Sequence, residues 1–497
     1  MKPRALLPVS FALAIVAGGA CKTEHTPANA EVQVPEAWTA DAQRSAQDPP
    51  QEWWKAFGDQ ELESLVDRAV AQNLDVAIAI ARVAEARAIR DISAGALYPQ
   101  VDATAGASRT KFSDHALTAV GTSNLYSAGF DASWELDLFG ANRAGVAAAD
   151  AFVQAAEENR RDALVTLLGD VARNYVELRG AQRQVVLLGE NAESERGTLE
   201  LTRSRFQAGL ATDLDVARAE TLVANTEALI PPFQESAAAS IHRLSVLLAV
   251  SPGALSTELA DPKPVPVAQG AVADLASGVP ADLLRRRPDI RRAERELAQA
   301  AALTDQATAN LYPKITLNAT LGLASTQTSN LFDAGSQTAS LGASLFAPIF
   351  HGGALRAAVH VQDAREHQAI DLYRLTVLNA FSEVEDALVS VARERERRQT
   401  LITAVSSSRR ALDLANDLHL RGLIDFFEVL DAQRTNVLAE LQLASSETAL
   451  TSNTVALYKA LGGGWESWPE AQPGNEQRAQ GSAGQPAHGG TEPQGTD

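Results

Sequence analysis

One short run in the chain sets an aromatic, an acid and a base at helical spacing. After Gly422 come Asp425-Phe426-Phe427-Glu428, then Asp431 and Arg434. Phe427 and Asp431 are four apart, and Asp431 and Arg434 three apart, so in a helix they share one face. An aromatic side chain excludes water, and a carboxylate attracts cations. The residues alone allow two readings: a water-facing site, or Phe427 packed in a helical seam with Asp431 paired locally to Arg434. No catalytic constellation competes with this run. His351, His360 and His367 lack the spacing and carboxylate of a zinc-protease helix, so no metal site is expected. Gly462-Gly463-Gly464 lacks the Lys-Ser/Thr of a phosphate loop and reads as a helix terminator. No serine sits in a nucleophile elbow, and no cofactor motif is present. The chain reads as not an enzyme.

The only cysteine, Cys21, excludes an intrachain disulfide and a Cys-based metal site. Lys2 and Arg4, the apolar run Ala5 to Ala17, and then Gly18, Gly19 and Ala20 form a secretory signal that ends at Cys21. This junction resembles a bacterial lipobox, although Gly18 stands where leucine is usual, and it implies acylation of Cys21. Lys22, rather than aspartate, points to outer-membrane sorting. No later stretch offers 18 consecutive apolar residues, so a membrane crossing would need closed β-strands. A net charge of −19 argues against nucleic acid as a partner. The basic run Arg285-Arg286-Arg287 with Arg291-Arg292 reads as a solvated helix start.

The elements that would position the site are written twice. Leu97-Tyr98-Pro99-Gln100-Val101 recurs as Leu311-Tyr312-Pro313-Lys314-Ile315, Phe139-Gly140 as Phe350-His351-Gly352, and Arg205-Phe206-Gln207-Ala208-Gly209-Leu210 as His419-Leu420-Arg421-Gly422-Leu423. Helical spacing over Leu62–Ala94 and Leu283–Ala309 stops at the two Tyr-Pro pairs. Alternation follows: Phe130, Ala132, Trp134, Leu136 and Leu138 in one unit, Ile315, Leu317, Ala319, Leu321 and Leu323 in the other. Period two with one polar face predicts strands of membrane-spanning length. Two strands per repeat are too few for a soluble core, so closure by several chains is expected. Proline-free stretches then predict very long helices with tips at Gly209 and Gly422, and Pro231-Pro232 should break or kink the first return. Repeat alignment sets Leu214 opposite Phe427 and Arg218 opposite Asp431, so the two tips are electrostatically unequal.

Five runs resemble one known family: Trp53-Trp54 with Phe57-Gly58-Asp59; Trp134-Glu135-Leu136-Asp137-Leu138-Phe139-Gly140; Val279 through Arg291; Val429-Leu430-Asp431-Ala432-Gln433-Arg434; and Leu457 through Trp465. The chain looks like a TolC-like outer-membrane factor of the lipoprotein (OprM/NodT-type) branch serving RND efflux. The resemblance covers about residues 52–468. It implies an α+β membrane protein in which four β-strands per chain build a trimeric twelve-stranded β-barrel, continued by a long periplasmic α-helical barrel. It implies a passive exit duct for drugs or other small molecules, lipid-anchored in the cell outer membrane. Its partners would be two further copies in a homotrimer, a periplasmic adaptor protein, an inner-membrane RND-type pump and outer-membrane lipid. It also implies that Phe427 and Asp431 line the closed periplasmic gate, with Arg434 bonding neighbouring helices. A duct for type I protein secretion and a non-conducting envelope scaffold are the competing functions.

The expected layout is a signal peptide at 1–20, a lipidated extension at 21–51 and a disordered tail at 469–497. Repeat one occupies 52–275, with strands about 100–112 and 125–138 and long helices over 141–248. Repeat two occupies 276–468, with strands about 314–325 and 338–348 and long helices over 353–461.

Overall fold

The computed structural model describes residues 32–35, 38–39, 51–111, 113, 121–267 and 280–468. The expected signal peptide, Cys21, most of the extension and the C-terminal tail lie outside the described residues. Helices α1 (Gln60–Gln72) and α2 (Leu74–Gly95) lead into strands β1 (Gln100–Lys111) and β2 (Thr122–Leu136). The chain continues through α3 (Ala141–Gln207), α4 (Asp213–Ala228) and α5 (Ile230–Leu247). The second unit runs α6 (Pro280–Arg286), α7 (Pro288–Ala309), β3 (Lys314–Ser325), β4 (Gln337–Phe346), α8 (Ala354–Leu420) and α9 (Phe426–Ala460).

The strands form one antiparallel sheet in the order β1-β2-β3-β4, with β1 and β4 at its edges. The register sorts side chains cleanly by face. Phe130 sits opposite Ala103 and Leu321, Trp134 opposite Leu317, Ala319 opposite Leu341, and Ile315 opposite Leu345. The other face carries Thr104 and Asp131, joined at 2.8 Å, and Thr320 and Ser340, joined at 2.6 Å. The apolar face is bare: Leu341 is 84% exposed, Leu321 65% and Phe130 59%. In mid-sheet Gly129 pairs with Gly322, and a Cβ on either would lie 2.7 Å from a backbone carbonyl of the opposing strand. Only glycine permits that approach.

Several element ends differ from those expected, each for a local reason. β2 stops at Leu136 rather than 138 because Asp137 turns to accept the N–H groups of Asn142 and Arg143, which open α3. It starts at Thr122 rather than near 125, since the ladder with β1 extends to Lys111. β4 ends at Phe346 rather than 348, ahead of Pro348, which has no N–H to give a ladder. The single helix expected over Leu62–Ala94 divides at Asn73. That side chain accepts from the N–H groups of Asp75 and Val76 and donates to the Leu247 carbonyl at 2.9 Å. Pro231 and Pro232 open α5, so the first return is two helices where α9 is one.

α3 and α8 are 67 residues each, or roughly 100 Å at 1.5 Å per residue. α3 packs against α2, α4, α5, α7 and α9. The principal core gathers where α1, α3, α5 and α9 meet: Trp53 stacks on Tyr458 and Trp54 on Trp468, both at 5.2 Å, above Leu164, Leu168 and Leu244. The basic run is only partly a solvated helix start: Arg285 is exposed, but the others are not. Arg287 is buried, and it donates to Asp289, Glu383 and the Ala460 carbonyl, tying α7, α8 and α9 together. Arg291 pairs with Glu158 and Arg292 with Asp162, which binds α7 to α3. Among the described residues no helix is long and apolar enough to cross a membrane.

A buried polar cluster secures the start of the chain to α3. Arg179 is fully buried; it donates to Glu61, to Gln182 and to the Asp261 carbonyl. Burial alone would push the Glu61 carboxyl up, yet the Lys263 ammonium, Arg179 and the Tyr175 hydroxyl hold it below the usual carboxylate range. A carboxyl lowered in the folded state contributes stability above its unfolded pKa, and that stability is lost as pH falls through the folded value. Thermal melting should therefore hold from neutral pH to about pH 5 and drop as pH falls below about pH 4, and Glu61→Gln should lower the neutral melting point while flattening that acid slope. Arg179→Ala, which removes a fully buried guanidinium and leaves Glu61 to Lys263 and Tyr175, should cost about 3 kcal/mol in denaturant unfolding. An unaltered pH slope in Glu61→Gln would show that the cluster does not bear on stability.

Candidate functional site

Both long hairpins turn by one device. At the end of α3 the Leu210 N–H donates to the Arg205 carbonyl at 2.8 Å and the Gly209 N–H to that of Phe206 at 2.9 Å. At the end of α8, Leu423 donates to Leu418 at 3.0 Å and Gly422 to His419 at 2.9 Å. This is the Schellman pattern, and Gly209 and Gly422 take its left-handed residue at φ 72° and 74°.

The returns then diverge. Thr212 and Asp215 form a reciprocal capping box at the start of α4, and the Thr212 hydroxyl helps to hold the Asp215 carboxyl below its usual range. Asp425, the N-cap of α9, makes no side-chain cap bond. A cap is worth about 1 kcal/mol. The first turn of α9, which carries Phe427, is accordingly the less anchored of the two.

A polar bridge joins the tips. Arg205 Nη1 lies 2.6 Å from His419 Nε2, and His419 Nδ1 lies 3.2 Å from the Ile424 carbonyl oxygen. A guanidinium only donates, so in this arrangement Nε2 accepts and Nδ1 donates to the Ile424 carbonyl. Phe426 packs on the His419 ring at 5.4 Å. Beneath the bridge a small apolar cluster of Leu199, Val216, Ala219, Val223 and Leu430 seals α3, α4 and α9.

The structure brings Phe427, Asp431 and Arg434 together on the outer side of that seal. Phe426 and Leu430 fill the seam, and Phe427 is half exposed. Arg434 donates to Asp431 at 2.6 Å, so the local ion pair and the exposed aromatic coexist. All three line a groove of about 360 Å³ between α4 and α9, with Leu214, Ala217 and Thr221 on its far wall. Arg218 also lies there, its guanidinium 5.3 Å from the Phe427 ring centroid. Sequence reasoning set Arg218 opposite Asp431 by repeat alignment but not against Phe427, and it missed the Arg205–His419 bridge. The repeat was the signal in both cases, because each contact joins one hairpin tip to the other. Cys21 lies outside the described residues. His351 meets the edge of Phe346 at 6.5 Å, and among the described residues no three of His, Cys, Asp and Glu converge as a metal site.

Comparison with known proteins gives a consistent picture. The family model described as outer membrane efflux protein matches residues 65–250 and 279–463, one match per repeat. The chain is 34% identical over 457 residues to the pyoverdine export outer membrane protein OpmQ of Pseudomonas aeruginosa, covering 90% of this chain and 95% of the relative. It is 32% identical to nodulation protein T of Rhizobium leguminosarum bv. trifolii, covering 83% and 88%. Among solved structures, the outer-membrane channel OprN superposes with a TM-score of 0.82 at 34% identity, covering 88% of this chain and 99% of that one.

The bridge makes a direct prediction about the tips. A hydrogen bond from a charged donor is worth about 1.5–3 kcal/mol, so Arg205→Ala should speed amide exchange roughly tenfold or more over both turns, near 206–212 and 419–426. Thr212→Ala should quicken only the first. Equal exchange at both tips in Arg205→Ala and wild type would mean the bridge does not hold them.

Proposed function

The chain belongs to the outer membrane efflux protein family, and from that premise we propose that three copies close into one duct through the outer membrane. It is the exit channel of a tripartite efflux system, passing small molecules delivered by a periplasmic adaptor and an inner-membrane RND-type pump. The observation that carries this reading is the two-faced sheet with both edges unpaired. Strands of 10–15 residues suit a tilted bilayer crossing, and the exposed apolar face suits lipid. In hydrocarbon an unpaired backbone group costs several kcal/mol, so β4 of one copy must meet β1 of the next. Three copies of four strands make the twelve-stranded barrel.

The helices follow from that closure. α2 runs directly into β1 and α8 directly out of β4, so pairing those edges brings α8 beside the next copy's α2. Both carry exposed apolar residues there: Leu74, Ile78 and Ile92 on α2, Leu372, Leu375 and Leu378 on α8. Each 67-residue helix would extend the wall roughly 100 Å into the periplasm. At the far end Phe427, Asp431 and Arg434 become rings of three, an aromatic constriction beside a ring of ion pairs, and we assign the gate to them. Acylation at Cys21 would add a lipid anchor.

In planar bilayers Asp431→Ala and Arg434→Ala should raise the open probability, because each removes a charged side chain from the rings by which neighbouring copies would meet at the entrance. Phe427→Ala should widen the aperture and raise open-channel conductance by roughly twofold. Unchanged conductance in all three would remove the gate assignment. Acyl-lipid labelling should vanish in Cys21→Ser, and labelling that persists there would refute the anchor.

A further inference from the structure

The groove at the tips carries two positive charges and one negative. Asp431 is committed to Arg434 at 2.6 Å. Arg218 has no carboxylate within ion-pair distance among the described residues; its guanidinium lies over the Phe427 ring instead. The nearest acid on its own helix, Asp215, accepts from Thr212 in the capping box. Asp425 and Glu428 line the separate groove between α8 and α9, which Asp431 also borders. Asp215 keeps its charge and feels that of Arg218, so within the α4–α9 groove itself Arg218 is the one cation per copy without an ion-pair contact.

The internal repeat sets where that cation falls in an assembly. Leu214 corresponds to Phe427 and Arg218 to Asp431 in the two tips. Three copies would thus present six near-equivalent positions at each level, Leu214 alternating with Phe427, and Arg218 with Asp431. An acidic ring, the expectation from Asp431 alone, becomes an alternating one, and Arg434 cancels its acidic members. The lining of this groove is thus left with Arg218 as its unpaired charge, beside an aromatic and aliphatic wall.

We propose that Arg218 is a specificity-determining residue of the constriction, and that the tips favour organic anions whose apolar body lies against Phe427 and Leu214. The proposal rests on the duct reading above. The Arg218 guanidinium over the Phe427 face is a cation–π contact that biases it toward the opening. The chain as a whole is acidic at −19, so the effect of this one ring is read from differences between variants.

The test is the reversal potential of the full-length trimer in planar bilayers across a potassium chloride gradient. All variants carry Arg205→Ala, which loosens both tip turns, the first turn of α9 included, and is held constant across the series. Arg218→Gln should lower the chloride-to-potassium permeability ratio about twofold, Arg218→Glu should lower it further, and Arg218→Lys should keep it near the Arg218 value. The same order should appear for the sulfonate of a small aromatic dye against a quaternary ammonium of equal size. A conducting Arg218→Glu channel with an unchanged ratio would overturn the proposal, as would Arg218→Lys falling as far as Arg218→Gln, the mark of a packing role. If no trimer conducts, with or without Arg218, the duct itself fails and this inference fails with it.

Discussion

A backbone N–H or C=O left without a partner in hydrocarbon costs several kcal/mol, and the four strands leave two whole edges in that condition. Side chains cannot offset such a deficit. Another strand can, and the one at hand is the opposite edge of an identical copy. The sheet is otherwise ready for lipid: every inward–outward alternation is in register across all four strands, and Gly129 and Gly322 let β2 and β3 approach where a Cβ would obstruct. The helical part inherits this demand, since α2 and α8 continue from the two edge strands and must close wherever those close.

Duplication supplies the strands two at a time, and its departures from symmetry mark the tips. The first return is capped by Thr212 and Asp215 and divided at Leu229, while the second has no side-chain cap at Asp425 and runs unbroken to Ala460. A continuous helix transmits displacement along its length, and a broken one absorbs it. The uncapped turn that carries Phe427 is therefore attached to the stiffer lever. Arg218 in place of a second aspartate makes the pair unequal in charge as well as in mechanics.

Much of this was legible in the sequence, because two periods, two and 3.6, carry the elements and neither depends on distant residues. The ends of elements were less so. Asp137 closes β2 early by capping α3, and Asn73 divides a helix by bonding Leu247, a residue far along the chain. Arg287 reads as solvent-facing within a basic run, yet its partners Glu383 and Ala460 are brought to it only by the fold. At the site, the shared face of Phe427, Asp431 and Arg434 follows from spacing of four and three. The Arg218 contact does not, because no local rule says which face of α4 meets α9.

The distribution of packing makes the tips the least anchored part of the long helices. Around the middle of α3 a large core of Trp53, Trp54, Tyr175, Leu168 and Tyr458 is backed by the buried Arg179 cluster, so opening there would expose aromatic surface and strand a charge. At the tips the apolar seal is five residues, and the rest is ion pairs and single hydrogen bonds at the surface. Exposed pairs are worth about 0–1 kcal/mol each. A few such contacts set a barrier that a docking partner's differential binding can cross, whereas the mid-helix core sets one it cannot. The same helices are therefore firmly packed at mid-length and lightly held at their tips.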